Sequence, residues 1–116
     1  MTKQKPLLPT LKEKKRYLAI EIISDKKVDD FSKVKRAIFD AIISFVGELG
    51  LSRMGLIFLT NKWNKDSQRA IVRVERSSLD EFRASLCLLK EIDGVPVIIK
   101  GLKASGMINK LDFIVA

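Results

Sequence analysis

The chain has 116 residues, no histidine and one cysteine, Cys87. Those absences exclude Cys/His zinc sites, Cys-His dyads and Ser-His-Asp triads, and leave the thiol without a disulfide partner in the chain. A net charge of +8 on a composition that is 47% hydrophobic and 31% charged describes a globular domain with one core and a polyanion as its natural partner.

The charge is unevenly spread. Six basic residues (Lys3, Lys5, Lys12, Lys14, Lys15, Arg16) and a single acid, Glu13, fall within residues 1–16. The expectation is a basic, flexible arm over residues 1–15 followed by one domain over residues 16–116. Pro6 and Pro9 would interrupt an amphipathic helix in the arm, which argues against a membrane surface as partner. No apolar run approaches the roughly 20 residues of a membrane span, and the N-terminus lacks the apolar centre of a signal peptide. A cytoplasmic location is therefore expected, or a nucleolar one if the source is eukaryotic.

In RYLAIEIIS, residues 16–24, Leu18, Ile20 and Ile22 alternate with Tyr17, Ala19 and Glu21, the period of a strand. From Phe31 to Leu49 the apolar residues Val34, Ile38, Ala41, Ile42, Phe45 and Leu49 recur at three- and four-residue steps and predict one helical stripe. Asp29 or Asp30 can cap its start, and Gly50 can end it in the left-handed conformation. LSRMGLIFLTNKW and SQRAIVRVER predict two strands of a hairpin around WNKDS. Ser78 and Glu81 have the spacing of a capping box ahead of a second helix with Leu79, Phe82, Leu86 and Leu89 inward. GVPVIIKGLK predicts a fourth strand, with Pro96 at a sheet edge or strand start.

The order β-α-β-β-α-β predicts an α+β ferredoxin-like sandwich of the kind used by RNA-recognition motifs. Its four-stranded antiparallel sheet would carry both helices on one face, strands one and three in the centre and strand four at an edge. Residues 105–116 form an appendage that suits either a short helix through Met107, Ile108 and Leu111 or a strand in LDFIVA.

The fold alone does not supply a function. Base stacking on the open sheet face finds little support, because the third strand has no aromatic and the first has only Tyr17. The open face would present Tyr17, Glu21, Ile71, Arg73 and Glu75, a mixture suited to phosphates or a protein partner. Trp63 at the hairpin tip could stack on a base or fold back on its own hairpin. Phe39 and Ile43 lie off the main helical stripe and are candidates for contact with a protein partner. Asp29-Asp30 and Asp80-Glu81 sit where acids favour a helix N-terminus, so capping explains them without catalysis. No phosphate loop, metal-ligand spacing or activated nucleophile is visible, and no catalytic residue is expected. In KASGMINKLDF, Ser105 and Gly106 make either a plain turn or a corner where backbone N–H groups meet a phosphate.

The strings RYLAIEIIS, RAIFDAIISFVGELGLS, NKWN with AIVRVER, and SLCLLKEIDGVPVIIKGLKASGMINK, in that order, resemble the ribonuclease P protein component 2 family of archaea and eukaryotes. The resemblance runs from about Arg16 to Lys110. Its most specific part is the Ser105, Gly106, Met107, Ile108 pattern with Lys110 one step late. Asn109 stands at a usually basic place, Met107 replaces a usual threonine, and LDFIVA is more apolar than the family's ending.

The resemblance implies a non-catalytic protein subunit of the ribonucleoprotein endonuclease that removes the 5′ leader from precursor tRNA. The catalytic centre would be RNA with Mg²⁺, no cofactor would be bound by the protein, and a TIM-barrel protein subunit would be its partner, with self-association left open. On this reading Lys15, Arg16, Arg36, Arg73, Lys103, Ser105 and Lys110 are the RNA-binding candidates, and Phe39 and Ile43 the protein-partner candidates. Two readings of other classes stand beside it. A small-molecule regulatory domain of the same fold would bind independently of salt and carry a neutral surface, against which the basic arm argues. An acyl-phosphate hydrolase would want an arginine after the first strand, where SDKKVDD has none.

Overall fold

Alternating apolar residues make the first strand, and three- and four-residue periodicity the first helix, in the computed structural model of the chain, which describes residues 15–115. Residues 1–14, which hold nearly all of the expected basic arm, lie outside the described residues. The elements are β1 (Lys15–Ser24), α1 (Phe31–Met54), β2 (Ile57–Phe58), β3 (Arg69–Glu75), α2 (Leu79–Leu88), β4 (Glu91–Ile92), β5 (Val95–Ser105) and α3 (Asp112–Val115). They form a five-stranded antiparallel sheet ordered β2-β3-β1-β5-β4. The ferredoxin-like order is present, with the first and third predicted strands in the centre. One strand is additional: β4 hairpins onto the start of β5 through Asp93 and Gly94, both left-handed, so Pro96 pairs with Glu91 two residues into β5.

On one face of the sheet Leu18, Ile20, Ile22, Val72 and Val74 pack against Val34, Ile38 and Ile42 of α1 and Phe82 and Leu86 of α2. All are nearly or completely buried, and at roughly 25 cal/mol per Å² of apolar surface this layer is the main source of stability. Trp63 joins this layer, with its ring stacked on Phe31 at 4.9 Å and 11° between planes. Its partner is thus the first helix, a third outcome beside a base and its own hairpin.

The first helix departs from its expected course. Gly50 does not end it: Gly47 is non-helical (φ 75°, ψ 179°), the chain resumes helical geometry to Met54, and Gly55 (φ 56°) is the left-handed stop. Gly50 lies inside that second stretch, where a Cβ would collide with Val46. The break at Gly47 changes the phase of the stripe beyond it, so Leu49, expected inward, is 66% exposed; Phe45, also expected inward, lies ahead of the break and is 47% exposed, for which the break gives no reason. Continuation of the helix to Met54 also shortens the predicted second strand to Ile57–Phe58.

The caps resolve differently at the two helices. Asp30 accepts a hydrogen bond from Ser32 N at 3.0 Å, as a helix N-cap should. Ser78 makes no capping hydrogen bond, because a 3-10 turn over Arg76–Ser78 leads straight into α2 and leaves Ser78 at ψ 4° instead of extended.

The opposite face of the sheet is not open. After β5 a 3-10 turn (Ile108–Lys110) and α3 fold across it, burying Leu111 and Val115 against Ala19 and Ile71. The helical reading of the appendage is the realised one, and Ile71, expected on an open face, is fully buried. Polar contacts clamp this segment. Arg69 donates to Ile114 O at 2.7 Å, Asn64 Nδ2 donates to Val115 O at 2.7 Å, and Lys62 Nζ lies 3.0 Å from the Asp112 carboxylate.

Candidate nucleic-acid interface

The candidate surface is built by strand register and one bulge. Antiparallel pairing sets Lys15 opposite Glu75 and Tyr17 opposite Arg73, with Ile57 on the far side of Arg73. Between Ala19 and Ile20 the pairing of β1 with β5 shifts: Ile20 faces Gly101 but Ala19 faces Lys103, leaving Leu102 as an extra residue. A bulge reverses the alternation beyond it. Val97 and Ile99 therefore point into the helix-side core, whereas Lys103 and Ser105 share the α3 side with Tyr17 and Arg73. Leu102 itself packs against the Ala19 and Leu111 cluster.

The result is a basic end of the sheet made by Lys15, Arg73 and Lys103 beside Ser105. Arg16 joins it from the end of β1: its Nη1 donates to Lys15 O at 2.9 Å and lies so near Gly106 that an added Cβ would stand 3.3 Å away. Gly106 thus serves close approach and needs no left-handed φ. Ser105 Oγ accepts from Met107 N at 3.1 Å, so the Ser-Gly corner is a side-chain-capped turn. Lys110 is exposed in the 3-10 turn that follows.

Arg36 is not part of this end. It is exposed on α1, in a groove of about 700 Å³ between α1 and the β4-β5 hairpin. Lys33 Nζ bridges that groove to Asp93 at 3.1 Å, and this hydrogen bond raises the Lys33 pKa above its ordinary value. At the same helix start the Ser32 N–H holds the Asp30 carboxyl below its ordinary value.

The two protein-partner candidates also separate. Phe39 is half-buried, with its ring edge-to-face on Phe58 at 5.3 Å, while Ile43 is 40% exposed. Phe45 and Leu49 are also exposed on α1, but Phe45, two residues from Ile43, faces away from it, and Leu49 lies beyond the break at Gly47.

A pocket of about 400 Å³ opens at the basic end, lined by Lys15, Arg73, Glu75, Gly55, Ile57 and Phe39 among others. Gly55 and Ile57 were not foreseen at this surface, whereas Glu75 was expected beside Arg73 on the sheet face opposite the helices. Each is ordinary in its local stretch, and only the meeting of three chain segments brings them together. Among the described residues no group of three or more His, Cys, Asp or Glu side chains could hold a metal, and no helix is long and apolar enough to cross a membrane.

The chain is similar along nearly its whole length to proteins called Ribonuclease P protein component 2. That of Thermococcus kodakarensis is 38% identical over 109 residues, covering 94% of this chain and 88% of the relative. That of Pyrococcus abyssi is 39% identical over 111 residues, covering 94% and 90%, and that of Archaeoglobus fulgidus 37% over 106 residues, covering 91% and 92%. In fold the chain is similar to a chain in the cryo-EM structure of yeast Ribonuclease MRP, with a TM-score of 0.64 over 81% of this chain and 75% of that one, at 20% identity. The family model for the Rpp14/Pop5 family matches residues 16–113, from the start of β1 into α3, and the chain belongs to that family.

Proposed function

We propose that this chain is a protein subunit of ribonuclease P, the ribonucleoprotein endonuclease that removes the 5′ leader from precursor tRNA, and that it holds the catalytic RNA rather than cutting RNA itself. The observation that carries this reading is the likeness, over more than nine-tenths of the chain, to proteins called Ribonuclease P protein component 2.

The basic end gives the reading a physical mechanism. Folding an RNA crowds phosphates, and lysine and arginine side chains relieve that repulsion while releasing condensed counterions. Lys15, Arg73, Lys103 and Lys110 offer such charges from four places in the chain that the fold brings to one end and its adjoining turn. Residues 1–14 add further positive charge where they join Lys15. Ile43, exposed on α1 one helical turn from Phe39, marks the surface we assign to a TIM-barrel protein subunit. Mg²⁺ belongs with the RNA in this scheme.

The test is reconstitution of precursor-tRNA cleavage with the cognate RNA and protein partner at low Mg²⁺. Omitting this chain should lower cleavage; unchanged cleavage refutes the proposal. RNA affinity should fall steeply with salt. Lys103→Ala combined with Lys110→Ala should reduce the salt slope by about 1 for each phosphate that is no longer neutralised, with thermal stability retained.

A further inference from the structure

The pocket at the basic end has a composition unlike a plain phosphate surface. Two cations, Lys15 and Arg73, and one carboxylate, Glu75, line it together with an apolar wall of Phe39, Leu56 and Ile57. Lys15 and Glu75 are register partners, yet among the described residues none of the three charged groups forms an ion pair or a side-chain hydrogen bond. Arg73 Nε is covered from solvent and has no hydrogen-bond partner. Covered polar groups in folded proteins nearly always find partners, so Arg73 lines the pocket with its donor capacity unspent within the described protein.

Gly55 shapes the same place. A Cβ there would stand 3.2 Å from Glu75 Cγ, so a larger residue would displace the carboxylate. Ile57, 42% exposed, presents an apolar surface on the edge strand next to Arg73. A volume of about 400 Å³ lies within the roughly 300–1,000 Å³ of small-ligand sites.

We propose that this pocket takes one unpaired nucleotide of an RNA: Lys15 and Arg73 hold its phosphate, Ile57 and Phe39 face its base, and Glu75 accepts a hydrogen bond from an exocyclic amino group. Two cations suit the phosphate, and the carboxylate opposite Lys15 and two residues from Arg73 suits a donor on the same ligand. Glutamate accepting from cytosine N4 is an established pairing, and uracil has no amino group to offer. Single-stranded bases in loops and bulges are the usual targets of specific RNA recognition. The inference rests on the RNA-subunit reading and deepens it by assigning a pocket and a base preference to a surface otherwise argued from charge alone.

The test uses the full chain, isotopically labelled, with cytidine 5′-monophosphate and uridine 5′-monophosphate as probes at millimolar concentration. Cytidine monophosphate should shift the Gly55 amide and the Ile57 methyl resonances more than uridine monophosphate does. Arg73→Gln should weaken that binding roughly tenfold or more, as expected when a charge-assisted hydrogen bond is removed. Glu75→Gln should remove the preference for cytidine while leaving the fold's spectrum intact. Absence of shifts at Gly55 and Ile57 with either nucleotide overturns the pocket, as does a protein partner that shifts them when RNA does not. If the wild-type chain binds cognate RNA in a salt-dependent way while Arg73→Gln and Ile57→Ala bind equally well, the pocket fails and the RNA reading stands. If the wild-type chain does not bind RNA, both fail.

Discussion

The two faces of the sheet are covered by different means. On one, α1 and α2 lay a continuous apolar layer over Leu18, Ile20, Val72 and Val74. On the other, a short C-terminal segment buries only Ala19, Ile71, Leu111 and Val115 fully, and side chains of Arg69, Asn64 and Lys62 clamp its backbone and its first acid. The difference shows how a sheet that could stack bases loses that use. The centre of its second face is occupied, and interaction is displaced to the basic end where Lys15, Arg73 and Lys103 emerge.

The largest expected effect tests the first face. Phe82→Ala should cost about 3–5 kcal/mol in denaturant unfolding, because the ring is completely buried between helix and sheet. Leu111→Ala should cost about 2 kcal/mol, the low end for a buried leucine, because the segment it anchors can open without the main core. Equal costs for the two variants would make the faces one cooperative core and break the comparison. Arg69→Ala should cost about 1 kcal/mol, since it removes the 2.7 Å bond to Ile114 O and the partly screened contact with Glu21. Hydrogen exchange should then quicken in α3 before it quickens in β1; protection of α3 unchanged from wild type would show that the clamp contributes nothing.

The smallest effect is a pH dependence at the start of α1. The Ser32 N–H depresses the Asp30 pKa in the folded state, so the stabilisation it brings is present above the ordinary carboxylate value of 3.8 and is lost as pH falls through the lower folded value. Asp30→Ala should lose that acid-side increment and leave stability at neutral pH slightly reduced. An identical acid limb in both proteins would show that the cap is not coupled to folding.

Much of the first face was legible in the sequence. Leu18, Ile20 and Ile22 alternate, Val34, Ile38 and Ile42 follow a helical period, and both patterns are local consequences of one buried side. The same logic failed at Leu49, because Gly47 breaks the helix and resets its phase without altering the spacing of apolar letters, and it failed at Phe45, which keeps the period ahead of the break and is exposed all the same. It failed again at β4, since two residues cannot show a period and only the Asp93-Gly94 turn marks the hairpin. The site was legible in its ingredients but not in its assembly. Lys15, Arg73, Lys103 and Ser105 were named from charge and likeness, alternation put Glu75 on the face of Arg73, Arg36 belongs to a different groove, and Gly55 and Ile57 gave no signal of their own.

By itself the sequence determined the composition of the core, the ferredoxin-like strand order, the missing Cys/His chemistry and the family, because each depends on residue identity or short-range period. Tertiary structure decided which side of the sheet Lys103 and Ser105 occupy. Strict alternation along β5 would place them with Val97 and Ile99 in the core, and the extra residue Leu102, opposite no partner in β1, turns them to the other face. It also decided what Gly106 meets: the Arg16 guanidinium arrives from the far end of the chain, so that an added Cβ would stand a tight 3.3 Å from it. A bulge and a long-range approach exist only once strands are paired, so no local pattern records them.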